Sequence, residues 1–349
     1  MRTEEFDYPL PSSLIAQYPS PQRGDSRLMV LHRTQGMIEH REFRDILEYF
    51  HPGDLLVMNN TRVLPARLFG KKESQANLSK GEGNCEFLLI PSVNGNNGIW
   101  EVLIKRAKKI KEGTRIQFGK GLFGEVKGIR NGKGKICFDG HGEVIEILHK
   151  IGHIPLPPYI KRKDELLDKD RYQTIYAERD GSIAAPTAGL HFTHSLIRSL
   201  RDQGIIITMI TLHVGIGTFA PVKVKNIEDH VMEPEWIEIS EKAVKEIEKT
   251  KRKEGRVVAV GTTTTKTLES FADSAGRVRP GNSLSSLLIS PPYRFRVVDA
   301  LITNFHLPKS TLIMLASAFA GKDLLMKAYR EAIDKKYRFY SYGDAMLIL

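Results

Sequence analysis

Hydrophobic and polar positions along the chain follow two different rhythms. Phe43, Ile46, Leu47 and Phe50 recur at helical spacing, and after the Pro52-Gly53 turn Asp54-Leu55-Leu56-Val57-Met58 reads as a buried strand. From about Pro65 to Lys150 the rhythm shortens. Apolar runs recur at 85–90, 100–104, 114–118, 122–129, 135–138 and 143–148, separated by turns such as Asn94-Gly95-Asn96-Asn97-Gly98 and Asn131-Gly132-Lys133-Gly134. Short strands at such close spacing predict a small all-β module, a barrel, with the polar stretch 71–84 as an exposed excursion.

After Pro155-Leu156-Pro157-Pro158 the pattern becomes α/β. Residues 194–203 are helical, with Leu196, Ile197 and Leu200 inward and Gly204 closing the helix. The β-branched run 205–212 is too apolar for an edge strand. Residues 240–252 form a charged amphipathic helix capped by Ser240 with Ala243, Val244 and Ile247 inward. A buried strand at 256–260, a helix at 264–271, and further elements at 294–301, 312–319, 324–333 and 345–349 continue the series. Strands alternating with helices favour a largely parallel sheet. The fold class is therefore α/β: a large discontinuous α/β domain (1–64 and 151–349) with a small all-β, barrel-like domain inserted at 65–150.

Composition changes this picture in one respect. Charged residues are 27% and hydrophobic residues 41% of 349, ordinary for a soluble globular protein, but the formal charge is +11. Nucleic acid is the first candidate for an anionic partner, a phosphorylated metabolite the second, and a generally basic proteome the neutral alternative. No apolar run approaches the length of a membrane span, and the segment from Met1 to Tyr8 has no secretory h-region, so a cytoplasmic protein is expected. Cys85 and Cys137 sit in strand-like runs without a C-x-x-C spacing and read as buried, inert thiols; no metal site is expected.

Chemistry is expected in loops at the carboxyl ends of strands. The run Ala184-Ala185-Pro186-Thr187-Ala188-Gly189-Leu190-His191-Phe192-Thr193 has neither helical nor strand period, and its small residues suit close ligand approach. His213, Gly215 and Gly217 follow the 205–212 strand. The glycine pair lacks the third glycine of a dinucleotide fingerprint, Pro221 blocks its helix, and an ordinary tight turn explains it equally well. Gly261-Thr262-Thr263-Thr264-Thr265-Lys266 joins strand to helix, which suits a carboxylate or phosphate, or is simply a threonine cap. It lacks the spacing of a P-loop. Asn304, His306 and Lys309 lie at a third strand-to-helix junction, and Glu228, Asp229, Glu233 and Glu235 cluster beside His230 either as acid–base partners or as a solvated turn. Neither His-Glu-x-x-His nor Gly-x-Ser-x-Gly occurs.

Taken together, Asn60-Thr61-Arg62-Val63-Leu64-Pro65-Ala66-Arg67, the run 184–193, and the segments 213–221, 261–270 and 303–312 resemble the S-adenosylmethionine:tRNA ribosyltransferase-isomerases of queuosine biosynthesis. So do Tyr340-Ser341-Tyr342-Gly343-Asp344-Ala345-Met346, Ile154-Pro155-Leu156-Pro157-Pro158-Tyr159-Ile160 and Arg171-Tyr172-Gln173-Thr174. The resemblance is colinear from Tyr8 to Ile348. It implies an α/β domain carrying a β-barrel. It also implies transfer of the ribosyl part of S-adenosylmethionine onto the aminomethyl group of a 7-deazaguanine at the wobble position of a tRNA anticodon stem-loop, giving epoxyqueuosine with adenine and methionine released.

That chemistry needs a base at the carbon beside the sulfonium, a proton donor for adenine and a neutral acceptor amine. The resemblance assigns no catalytic residues; from residue chemistry, His191 and His213 are expected to transfer protons, with His306 third. Gly215, Gly217, Gly261, Thr262, Thr263, Asn304 and Glu235 are expected to bind substrate, the Gly261–Thr265 turn taking the methionine carboxylate. Arg62, Arg67, Lys309 and Arg338 would meet tRNA phosphates. S-adenosylmethionine is a consumed co-substrate, no other cofactor is expected, and a monomer is expected. Four positions depart from the family pattern: Asn60 for Asp, Glu233 for His, Lys266 for Arg, and Ser290-Pro291-Pro292 for Tyr-Pro-Gly. They set the alternative reading of a non-catalytic tRNA-binding homologue; a third reading, a methyltransferase, is disfavoured by the missing glycine-rich helix start.

Overall fold

The structure, a computed structural model, describes residues 1–73, 85–91, 98–105, 110–119, 121–139, 144–219 and 221–349. The expected turn at 94–97 and the excursion beyond Glu73 lie outside these residues. In chain order the elements are β1 (Arg27–His32), β2 (Met37–Glu42), β3 (Leu55–Asn59), β4 (Thr61–Val63), β5 (Arg67–Lys72), β6 (Cys85–Ile90), β7 (Ile99–Lys105), β8 (Arg115–Gly119), β9 (Leu122–Arg130) and β10 (Lys133–Phe138). There follow α1 (Val144–Ile151), α2 (Leu166–Arg171), β11 (Arg179–Ser182), α3 (His194–Asp202), β12 (Ile206–Leu212), β13 (Glu235–Ile239), α4 (Glu241–Arg252), β14 (Val257–Val260) and α5 (Thr262–Phe271). The chain ends with β15 (Gly281–Ser285), β16 (Ala300–Asn304), α6 (Thr311–Ala320), α7 (Lys322–Asp334) and β17 (Ala345–Ile348).

Nine strands form the main sheet in the order β15-β13-β12-β3-β14-β16-β17-β1-β2. The central strands β12, β3, β14 and β16 run parallel, as the alternation of strand and helix leads one to expect. The sheet as a whole is mixed, because β17 pairs antiparallel to β16 and parallel to β1, and antiparallel pairings finish both edges. Period-two alternation divides the buried strands between two cores. Leu55 and Val57 of β3 face the layer containing α4 to α7, while Leu56 and Met58 face α3 and the 3-10 turn Phe43–Tyr49. Burial on both faces explains why β3 and β14 are continuous apolar runs.

Helix ends follow local chemistry. Thr193 caps α3 and Ser240 caps α4, each side chain accepting from the third residue onward. Gly204, at φ +82°, ends α3; its N–H reaches Arg201 O and the next N–H, from Ile205, reaches Leu200 O. The strand expected from residue 294 begins only at Ala300. The segment before it is held instead by the buried Glu269 carboxylate, which accepts the N–H groups of Arg296, Val297 and Val298.

Strands β5 to β10 close into an antiparallel barrel, with Phe87, Val102, Ile116, Val126, Ile136 and Phe138 filling its interior. The run at 143–148, expected to continue the strand series, is helix α1. Val144 and Leu148, one helical turn apart, are buried against the barrel core. The chain enters and leaves the barrel side by side. A Cβ at Gly152 would stand 1.9 Å from Pro65 O, so this crossing needs glycine.

Candidate active site

The carboxyl ends of β14 and β16, the segment around Ala188 and the Tyr340-Ser341 turn converge on one pocket. Gly261 leaves β14 at φ +91°, held by its N–H to Ile302 O, and turns the chain into α5. The first backbone bond of α5 runs from Thr265 N to Gly261 O, so the amides of Thr262, Thr263 and Thr264 have no acceptor within the helix. The hydroxyls of Thr264, Thr265 and Thr267 fold back onto the carbonyls of Val260, Gly261 and Thr263, while Thr262 and Thr263 line the pocket.

Asn304 ends β16 and is 2% exposed. Its Nδ2 donates to Tyr340 O at 3.1 Å and to His191 Nε2 at 3.2 Å. Because Nε2 accepts there, His191 carries its proton on Nδ1 and donates it to Ser26 Oγ at 2.7 Å. Burial, then the positive charges of Arg23 and Arg338, lower its pKa to about 3. His191 thus stands as a neutral ring with both nitrogens occupied, on the wall of a neighbouring pocket with Arg23, Gly24 and Tyr342.

His306 lines the pocket at the ends of β14 and β16. Its Nε2 pairs with Thr303 Oγ1 at 2.7 Å, and burial lowers its pKa to about 3. Its Nδ1 has no hydrogen-bond partner among the described residues. His213 does not join this pocket. It stacks on Trp236 with ring centroids 5.0 Å apart, and its Nδ1 pairs with Thr61 Oγ1 at 2.8 Å. Burial, then the Arg179 charge, with Asp180 opposing, lowers its pKa to about 4. The three histidines expected to act together are therefore dispersed: His306 in the pocket, His191 behind Asn304, and His213 at the end of β12.

Gly215, Gly217 and Glu235 line a cleft of about 800 Å³ between the α/β loops and barrel strands β9 and β10, whose Arg130, Lys133 and Lys135 form the facing wall. Glu235 builds its own loop: Oε1 accepts from Gly215 N at 2.9 Å and from Thr218 Oγ1 at 2.6 Å, and Oε2 meets Lys266 Nζ at 3.1 Å. Thr218 lines both the pocket and the cleft, so the two adjoin.

The family model described as "Queuosine biosynthesis protein" matches residues 3–348. Proteins named S-adenosylmethionine:tRNA ribosyltransferase-isomerase from Halothermothrix orenii and Symbiobacterium thermophilum are 52% and 51% identical to this chain, each over the full length of both sequences. The chain belongs to the queuosine biosynthesis family. A solved structure of S-adenosylmethionine tRNA ribosyltransferase from Thermotoga maritima is 37% identical, matches 99% of this chain and 100% of its own, and superposes with a TM-score of 0.55.

Family membership puts the departures in context. Lys266, where the family pattern has Arg, keeps a positive charge on the Glu235 carboxylate in a buried pair. Asn60 has no need of the usual carboxylate: its Oδ1 accepts from Thr211 Oγ1 at 2.7 Å and its Nδ2 donates to Glu178 at 3.1 Å. Glu233 packs against Gly217 and pairs with Lys133 of the barrel at 3.5 Å, tying the two walls of the cleft together. Nothing in the structure explains Pro292.

Each of the four side chains expected to meet phosphates has a partner within the chain. Arg67 is turned inward onto Leu156 O and Glu86. Arg338 holds the Tyr18–Ser20 backbone through Tyr18 O and Ser20 Oγ. Arg62 bonds Ala177 O and is half-exposed, and Lys309 pairs with Asp7 at 2.8 Å. Guanidinium groups engaged with carbonyls serve the fold first. Sequence reasoning missed Tyr159, Thr303, Tyr340 and Ser341 as pocket residues, although the Tyr340 motif marks the last two. Among the described residues no group of His, Cys, Asp and Glu could hold a metal ion, and no helix is long and apolar enough to cross a membrane.

Proposed function

We propose that this chain transfers the ribosyl moiety of S-adenosylmethionine, with isomerisation, onto the aminomethyl group of 7-aminomethyl-7-deazaguanine at the tRNA wobble position. The products are epoxyqueuosine-tRNA, adenine and methionine. The observation that carries this reading is the match to enzymes of that name over the full length of both chains, barrel and α/β domain together.

The geometry supports a division of labour. The pocket at the ends of β14 and β16, about 30 Å³, has room for one polar end group of the donor, and the adjoining cleft of about 800 Å³, walled by the barrel, suits the rest of the donor and the acceptor nucleotide. His306 is the ring suited to proton transfer, because its Nδ1 is unengaged and Thr303 Oγ1 can donate to or accept from Nε2, serving either tautomer. Both nitrogens of His191 are engaged, so it acts by holding Asn304. A net charge of +11 suits a polyanionic partner such as an anticodon stem-loop. On this reading S-adenosylmethionine is consumed, no resident cofactor is used, and the enzyme works as a cytoplasmic monomer.

The test is incubation with S-adenosylmethionine and tRNA bearing the aminomethyl-deazaguanine, with small products resolved by chromatography. Free adenine and methionine are expected. S-adenosylhomocysteine would indicate a methyltransferase, and tRNA binding without products a non-catalytic homologue.

A further inference from the structure

The Asn304 side chain is buried in the lining of the pocket at the ends of β14 and β16, with one atom unaccounted for. Its Oδ1 is almost wholly shut off from solvent and has no hydrogen-bond partner among the described residues. The amide cannot be turned to cure this. Tyr340 O, 3.1 Å away, can only accept, so the nitrogen must face it, and the second hydrogen goes to His191 Nε2. The remaining oxygen is a fixed acceptor, and a buried acceptor left empty is costly unless a ligand completes it.

What it accepts from follows from the same geometry. Asparagine reads adenine with acceptor and donor together. Here both donor hydrogens are spent, so the amide offers an acceptor only, which suits a group that only donates, an ammonium. Across the pocket lies the opposite pole. Register pairs Val260 with Ile302, so Thr262 and Asn304, each two residues further on, leave neighbouring strands at the same level. The amides of Thr262, Thr263 and Thr264, without acceptors among the described residues, open the ten-residue helix α5 there.

We propose that this pocket is a zwitterion subsite, in which the α5 amides take the α-carboxylate and Asn304 Oδ1 takes the α-ammonium of the methionyl end of S-adenosylmethionine. The assignment rests on S-adenosylmethionine being the donor. His191 and Ser26 are positioning residues: the Ser26–His191–Asn304 chain fixes which atom of the amide faces the ligand.

Calorimetric titration tests this with three probes: S-adenosylmethionine, its decarboxylated analogue and its deaminated analogue. In the wild-type protein, loss of either charged group is expected to weaken binding about tenfold or more. Asn304→Ala is expected to weaken S-adenosylmethionine by a similar factor while leaving the deaminated analogue within about threefold. His191→Ala is expected to reduce the preference for the ammonium and spare the preference for the carboxylate, whereas a merely structural loss would move both. Equal wild-type affinity for the deaminated analogue and S-adenosylmethionine overturns the proposal without any variant needing to fold. So does an Asn304→Ala loss that is the same for both. If adenine release from S-adenosylmethionine persists in such a case, the functional reading stands and only the subsite falls; if S-adenosylmethionine does not bind, both fall.

Discussion

Replacing Lys266 with methionine takes the counter-charge from a largely buried carboxylate. Glu235 and Lys266 are only 7% and 8% exposed, and their oxygen and nitrogen lie 3.1 Å apart. Removing one partner of such a pair costs about 3–5 kcal/mol. Glu235 keeps the Gly215 N–H and the Thr218 hydroxyl, so the lower end, about 3 kcal/mol, is expected. For a domain of this size that lowers the melting temperature by roughly 6–12 °C. Differential scanning calorimetry on Lys266→Met, Lys266→Arg and the double variant Glu235→Gln/Lys266→Met separates charge from packing. Arginine, the residue of the family pattern, should stay within about 1 kcal/mol, and the double variant should regain more than half of the loss because no charge is left buried. A drop below about 2 °C in Lys266→Met, or a double variant as unstable as the single, would refute the claim that this pair holds the wall between pocket and cleft.

Other expectations follow from the same contacts. His306→Ala should lower kcat by about 10²- to 10⁴-fold in the adenine-release assay with the fold intact; an unchanged kcat removes His306 from proton transfer. The pKa values of His191, His306 and His213 lie at about 3, 3 and 4, whereas unfolded histidine titrates near 6.5, so the native state refuses protons that the unfolded chain takes up. Stability should be complete above about pH 6.5 and fall on acidification toward pH 4, by about 1.4 kcal/mol per pH unit for each ring. Urea midpoints between pH 7 and 5 measure this, and His306→Gln should remove one ring's share of the slope. Asn60→Asp would set a carboxylate against Glu178 and should cost about 1–3 kcal/mol by thermal melting, with Glu178→Gln in the same chain restoring most of it. Gly181 sits at φ +148° with its absent Cβ 2.6 Å from His213 Nε2, so Gly181→Ala should cost about 1–3 kcal/mol and alter the fluorescence of Trp236, on which His213 stacks.

Where local chemistry decides structure, the sequence was readable. Cys85–Ile90 is a strand because its alternation matches a half-buried barrel wall, and Gly204 ends α3 because the turn there demands a positive φ. Val144 to Leu148 misled because Val144, Ile145 and Ile147 are β-branched. Burial of Val144 and Leu148 on the barrel overrode that preference, and their spacing of four was the available clue. The mixed sheet was not legible, since no local pattern records that the last strand slots antiparallel beside β16 and parallel beside β1. At the site, composition and spacing located the loops but not the hydrogen bonds. One histidine in each loop looked alike in sequence. Only the partners distinguish His191, engaged at both nitrogens, from His306, with one nitrogen unengaged in the pocket. Asn304 had a signal of its own, an amide at the end of a buried strand, and its fixed orientation needed the Tyr340 carbonyl to be seen.

The central claim is that the ribosyl carbons of S-adenosylmethionine end up on the tRNA base. Single-turnover reaction with two preparations of S-adenosylmethionine, one labelled in the ribosyl carbons and one in the methyl group, tests it directly on tRNA bearing 7-aminomethyl-7-deazaguanine. Ribosyl label is expected to enter the tRNA in equal molar amount to the adenine and methionine released, with the methyl label leaving in methionine. Methyl label in the tRNA, or adenine release without ribosyl label in the tRNA, would contradict the account.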